Sequence, residues 1–210
     1  MKKEIFIYGA GGLGCEVLSM VRSMPEWTVA GFVDDTIVAG KHVLGVEVKG
    51  GAQFLESLDR LAHVVLAFGD PAVKQRIAST IQNQNLVYPV LIHPRALAQD
   101  LSSINIGAGS IITAGTVLTT KITIGGHVLV NLNSTIGHDC SIGDYCSIMP
   151  GVNIAGGVWM DEGVLIGSGS NVRNKVRLGK GSTVGMGSVV IGDVKDYTTV
   201  AGVPARTISK

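Results

Sequence analysis

A period of six residues governs the second half of this 210-residue chain. Stepping by six from Ile106 lands on Ile112, Leu118, Ile124, Val130, Ile136, Ile142, Ile148, Ile154, Met160, Ile166, Val172, Leu178, Val184 and Val190, all aliphatic or Met, with no insertion. Four residues after each, from Ser110 through Cys140 and Cys146 to Val194, the residue is small or β-branched, and the position directly after the apolar one is often Gly, as at Gly107, Gly125, Gly137 and Gly143. Neither the helical period of about 3.6 nor the strand period of about 2 generates this series. A β-solenoid does. Each hexapeptide supplies a short strand and a corner, the large side chain filling the interior, the small one fitting beside the turn, and Gly accommodating the corner.

Residues 1–90 follow another rule. β-rich runs at Ile5–Tyr8, Thr28–Val33 and Val64–Phe68 alternate with helical stretches at Cys15–Met24, Ala52–Leu58 and Pro71–Gln82. That order predicts a parallel sheet with crossover helices. The chain therefore divides into a βαβ domain over 1–90 and a solenoid over 91–210.

Composition removes several function classes. Apolar residues make up 46% and charged residues 16%, which excludes a disordered chain. Lys plus Arg numbers 17 against 16 Asp plus Glu, a net charge of +1, so the electrostatic footprint of a nucleic-acid binder is missing. Mean hydropathy is +0.38, yet no apolar run is long enough for a membrane span. The short apolar segment Ile5–Tyr8 does not make a signal peptide, and three cysteines without framework spacing fit a reducing compartment, so a cytoplasmic location is expected.

Gly9, Gly11 and Gly14 satisfy G-x-G-x-x-G between a strand and a helix, and Asp34 follows 20 residues after Gly14. This is the dinucleotide fingerprint: glycines let the backbone approach a phosphate, and a helix N-terminus directs unpaired N–H groups at it. Asp34 or Asp35 offers an acceptor for a ligand hydroxyl or base N–H. The pattern fits a nucleotide sugar, NAD(P) or a purely structural turn, and only one mononucleotide half is present.

Taken along its whole length, the chain resembles the left-handed β-helix hexapeptide-repeat acyltransferases, and within them the bacterial nucleotide-sugar N-acetyltransferases and related sialic acid O-acetyltransferases. The resemblance rests on Tyr8-Gly-Ala-Gly-Gly-Leu-Gly14, Phe32-Val-Asp-Asp35, Ala67-Phe-Gly-Asp70, Leu91-Ile-His-Pro94, Asn131 to Asp139 and Ala201-Gly-Val-Pro-Ala205. It implies α/β plus all-β architecture: a small Rossmann-like βαβ domain followed by a left-handed parallel β-helix, three hexapeptides to a coil, so that fifteen make five coils. It further implies a homotrimer with sites between subunits, acetyl-CoA as co-substrate with no permanently bound cofactor, a nucleotide-linked deoxy-amino sugar as acceptor, and a role in bacterial surface glycan synthesis.

Residue roles follow from the same likeness. The βαβ domain is expected to hold the nucleotide sugar through Gly9, Gly11, Gly12, Leu13, Asp34, Asp35 and Gly69, although some relatives carry His where this chain has Leu13. His138 matches the general base and Asp139 the acid that raises its basicity, with Asn131 a nearby polar residue. The chemistry agrees: a neutral imidazole can take the proton of an attacking acceptor, and an adjacent carboxylate fixes its tautomer and favours the imidazolium. The competing reading of His138 is a merely exposed corner residue. Acetyl-CoA contacts map to Ser147, Gly156, Ser168, Gly185 and Met186, with Ser147 replacing a His common in relatives. Base and both substrates meeting in one cleft need no acyl-enzyme, and Cys140 and Cys146 read as small interior fillers. No metal site is expected. Three alternatives stay open: sialic acid O-acetylation, a nucleotide-sugar sensor on an inactive scaffold, and an NAD oxidoreductase, for which the second half offers no support.

Overall fold

The computed structural model describes residues 2–208. The chain forms two compact units, one running to Gly69 and resuming over Val73–Pro89, the other comprising Asp70–Ala72 and the described residues from Val90 onward. None of the described helices is long and apolar enough to cross a membrane.

In the first unit, β1 (Lys3–Tyr8) leads through α1 (Gly12–Arg22) to β2 (Trp27–Val33). A short antiparallel hairpin of β3 (His42–Val43) and β4 (Val46–Glu47) precedes α2 (Ala52–Glu56), β5 (Ala62–Leu66), α3 (Pro71–Thr80) and β6 (Leu86–Val87). The sheet order is β2-β1-β5-β6, every pairing parallel. A parallel strand is covered on both faces, which is why β1 reads as an unbroken apolar run and Ile5 and Ile7 are fully buried. β6 and the hairpin are additions to the three strands legible in sequence. At two residues per strand, neither is long enough to show a period.

The second unit is a three-sided parallel β-helix. Strands such as Leu129–Val130, Ser147–Ile148 and Leu165–Ile166 stack on the first face. Thr135–Ile136, Asn153–Ile154 and Asn171–Val172 form the second, and Ser141–Ile142, Trp159–Met160 and Arg177–Leu178 the third. The coil step is 18 residues, and the aliphatic series from Ile112 to Val190 is buried as a continuous interior column set. Each large side chain contributes roughly 1.5–3 kcal/mol of burial, but only because the next coil covers it.

There are six coils, not five, because two irregularities interrupt the count of six. Leu91 pairs with Ile111 across 20 residues, the two extra residues being absorbed by a 3₁₀ turn at Leu101–Ser103. At the other end Thr183 pairs with Thr199 across 16. Val194 consequently bridges Leu178 and joins the aliphatic column, where the uniform period had placed it among the small residues.

Two local rules emerge. At several of the small inward positions that carry Ser or Cys the side chain donates to the carbonyl 15 residues on, as Ser110 does to Gly125, Ser134 to Met149, Cys140 to Ala155 and Cys146 to Asp161. Burial pushes the Cys140 thiol above its ordinary value. The corner glycines after the aliphatic residue serve close approach: a Cβ on Gly137 would stand 2.6 Å from the Gly156 amide of the next coil. Positive φ falls two residues later, in every hexapeptide from Gly109 to Gly187, six of these positions carrying a residue other than Gly, Asp139 among them.

Candidate active site

His138 stands at the corner between the second and third faces, after Thr135–Ile136 and before Ser141–Ile142. Asp139 adopts φ +58, a conformation Asp tolerates better than most side chains, and its amide donates to the Thr120 carbonyl of the preceding coil. This backbone turn carries the carboxylate back to the imidazole, with His138 Nδ1 and Asp139 Oδ2 2.7 Å apart. The hydrogen bond to His138 holds the Asp139 carboxyl below its usual range, against a small desolvation cost and assisted by the charge of Lys121. An ionised carboxylate only accepts, so Nδ1 is the donor, and in a neutral imidazole so held Nε2 keeps its lone pair.

Nε2 has a defined direction. His138 lies one coil before Gly156, and a Cβ built there would stand 2.5 Å from Nε2, so the imidazole leans over a glycine. Gly157 follows, and across the counted coils Gly156-Gly157 is the one pair at these two corner positions with no side chain at all. The imidazole therefore borders the gap left by this bare corner, with the Lys175 side chain of the next coil against Gly157. Among the described residues the Gly156 N–H donates to no backbone carbonyl. The His138 and Asp139 side chains are 65% and 55% exposed, so the single chain leaves the pair wet.

The expected solenoid residues divide between two corners. His138, Asp139 and Gly156 share the corner between the second and third faces. Asn131, Ser168, Gly185 and Met186 line the corner between the first and second, where Met186 is 77% exposed. One whole face separates these sets in a single chain. Ser147 does not behave as expected: it sits within a first-face strand, fully buried, its hydroxyl without a partner, and offers no surface to a pantetheine.

In the first unit the glycines split by role. Gly9 has φ +105, and a Cβ on Gly14 would run into the Gly9 carbonyl, so these two allow the turn and the close packing of α1. A Cβ on Gly11 or Gly12 meets nothing, which leaves the start of α1 open, with no side-chain cap on its N–H groups. Leu13 and Gly69 are half-buried nearby. Asp34 and Asp35 are already engaged. Asp34 accepts from the Ala10 amide and from the Thr36 amide and hydroxyl, and Asp35 from the Ala52 amide and the Tyr8 phenol at 2.5 Å. Burial opposes ionisation of Asp34, yet these hydrogen bonds together hold its carboxyl below the ordinary value. Burial, then Asp35, pushes the Tyr8 phenol up. Tyr8, Asp35, Phe68 and Arg76 line a cleft of about 360 Å³. Sequence reasoning passed over Tyr8 and Arg76, since one ends a strand and the other sits in an ordinary helix.

Residues 4–81 match the family pattern of the PglD N-terminal domain. The whole chain superposes on perosamine N-acetyltransferase from Caulobacter crescentus, solved with CoA and GDP-perosamine, with a TM-score of 0.90, 31% identity and coverage of 98% of this chain and 97% of that one. The chain belongs to the hexapeptide-repeat nucleotide-sugar N-acetyltransferases. Another solved structure of this kind is the acetyltransferase domain of PglB from Neisseria gonorrhoeae, in complex with acetyl coenzyme A, at TM-score 0.89, 30% identity and coverage of 99% and 100%. The likeness of this chain to serine acetyltransferase of Escherichia coli K12 is local, 47% identity over 49 residues, 23% of this chain and 18% of that protein.

Proposed function

We propose that this protein transfers acetyl from acetyl-CoA to the amino group of a nucleotide-linked deoxy-amino sugar, in a direct ternary reaction with His138 as general base. The observation that carries the proposal is the orientation of the imidazole, its Nδ1 tied to Asp139 and its Nε2 turned into the gap over Gly156. In that gap the sugar nitrogen attacks the thioester carbonyl carbon, forming the C–N bond while Nε2 takes a proton from nitrogen. The Gly156 N–H is the donor this reading assigns to the oxygen on which charge develops. The C–S bond then breaks, and the imidazolium returns its proton to the departing thiolate.

The division of residues between two corners supports a cyclic assembly. Those corners bound the same face, so packing that face around a threefold axis sets the His138 corner of one copy against the Asn131 and Met186 corner of the next. Such closure also dries the exposed His138-Asp139 pair, which strengthens its electrostatics. In the first unit the open start of α1 would receive the diphosphate, and the Asp35 cleft the nucleoside. Arg173, Lys175 and Arg206 are offered to the CoA phosphates at the far end of the solenoid, whereas Arg177 and Lys180 there are paired with Asp161 and Glu162.

The test is CoA release from acetyl-CoA with a panel of UDP-, GDP- and dTDP-linked amino sugars, CMP-sialic acid and free sialic acid. Release with a nucleotide-linked amino sugar supports the proposal and identifies the nucleotide. Release with a sialic acid alone replaces it with O-acetylation, and silence across the panel refutes it. Mass measurement of the native assembly checks the trimer.

A further inference from the structure

Trp159 is the exposed aromatic nearest the candidate base in the coil order. It lies in the third-face strand Trp159–Met160, one coil beyond Ser141 and three residues past Gly156, and it is 53% exposed. Between it and Gly156 stand Gly157 and the inward, buried Val158, so that coil itself raises no side chain there, and the Lys175 side chain of the following coil lies against Gly157. The preceding coil places only Ser141 beside it. With a coil rise of about 4.8 Å and three residues of lateral travel, the His138 and Trp159 backbones are within about 11 Å of each other.

The indole is also held. Its Nε1–H donates to Asp161 Oδ1 at 2.9 Å, and Asp161 is in turn bound by the Arg177 guanidinium, with Nη2 3.0 Å from Oδ2. Trp159 and Arg177 are cross-strand partners, so the guanidinium reaches Asp161 from the following coil. An exposed tryptophan ordinarily loses rotamer freedom without return. This one is pre-oriented by a charged pair that has no role in the interior.

We propose that Trp159 is the stacking platform for the pyranose ring of the acceptor, engaging the face that carries C–H groups and favouring sugars in which a ring substituent is deoxy. The indole face carries the negative part of its quadrupole and attracts the weakly positive C–H hydrogens, while the surface it covers is apolar. The assignment rests on the acetyl-transfer reading above. It adds the element that orients the sugar, so that its amine meets Nε2.

The chain has two tryptophans, and Trp27 is buried, which makes the platform directly observable. Tryptophan emission would be followed while titrating the nucleotide sugar accepted in the CoA-release assay, and separately its free nucleoside diphosphate, into wild type, Trp27→Phe and Trp159→Phe. Quenching by the nucleotide sugar that exceeds quenching by the nucleotide alone, survives Trp27→Phe and vanishes in Trp159→Phe supports the platform. In kinetics, Trp159→Ala should raise KM for the nucleotide sugar about 5- to 10-fold, the scale of one aromatic contact, with KM for acetyl-CoA within twofold. Trp159→Phe should recover part of the loss. Equal quenching by the free nucleotide, a rise confined to the acetyl-CoA KM, or a lowered melting temperature with unchanged KM each overturns the inference while leaving acetyl transfer standing. A wild type that releases no CoA with any acceptor overturns the acetyl-transfer reading and this assignment together.

Discussion

Replacing Gly156 by Ala tests whether the imidazole works from where the fold holds it. The new methyl would sit 2.5 Å from His138 Nε2 and 2.6 Å from Cε1. Ordinary contact is about 3.5 Å, so the ring must withdraw by about 1 Å. A misplacement of about 1 Å costs on the order of 100-fold in rate when a group acts by position. The fold should be indifferent. Gly156 is outside the left-handed region, the first obstructing atoms belong to a ring 65% exposed and free to swing, and losing a glycine reduces unfolded-state entropy by about 0.4–1 kcal/mol. The expected result is a kcat about 100-fold lower, an acetyl-CoA KM changed by no more than a few-fold, and a melting temperature unchanged or slightly raised. Adding Gly156→Ala to His138→Ala should then cost little further, because both act through one ring. Wild-type kcat in Gly156→Ala would refute the reasoning, and a lost acetyl-CoA affinity at unchanged kcat would reassign Gly156 to donor binding alone.

Three more predictions follow from particular contacts. His138→Ala should lower turnover roughly 100-fold or more while leaving circular dichroism and assembly mass unchanged, and full activity in that variant would remove the base assignment. Gly11→Val places a branched side chain where a Cβ now meets open space, so the nucleotide-sugar KM should rise with little change in melting temperature; an unchanged KM would empty the proposed phosphate seat. Asp34 is held below its unfolded carboxyl value, so its stabilisation is present above the unfolded pKa and fades as pH falls through the folded one. Asp34→Asn should therefore weaken the fold at neutral pH and lose less stability than wild type between about pH 5 and pH 2, which urea melts at several pH values would read.

The sequence alone determined the solenoid, its interior columns and the corner position of His138, because inward and outward positions repeat with a local period that needs no knowledge of distant contacts. The G-x-G-x-x-G turn was legible for the same reason, each glycine serving a short-range steric need. The period failed where the chain broke it, at the inserted turn Leu101–Ser103 and the shortened last coil, since strand pairing across 20 or 16 residues is settled by which side chains pack. Glycine was visible at the corners, but its reason differed: close approach of the next coil at Gly137, with the positive φ two residues on at Asp139. Ser147 looked available for a ligand and proved buried, because exposure of a strand position depends on what covers its face. Only the tertiary structure brought Tyr8 to Asp35, tilted His138 over Gly156 and clamped Trp159 with Asp161 and Arg177. Those arrangements are made by side-chain conformation, between residues as close as Trp159 and Asp161 and as distant as Tyr8 and Asp35, which no spacing rule encodes and packing alone decides.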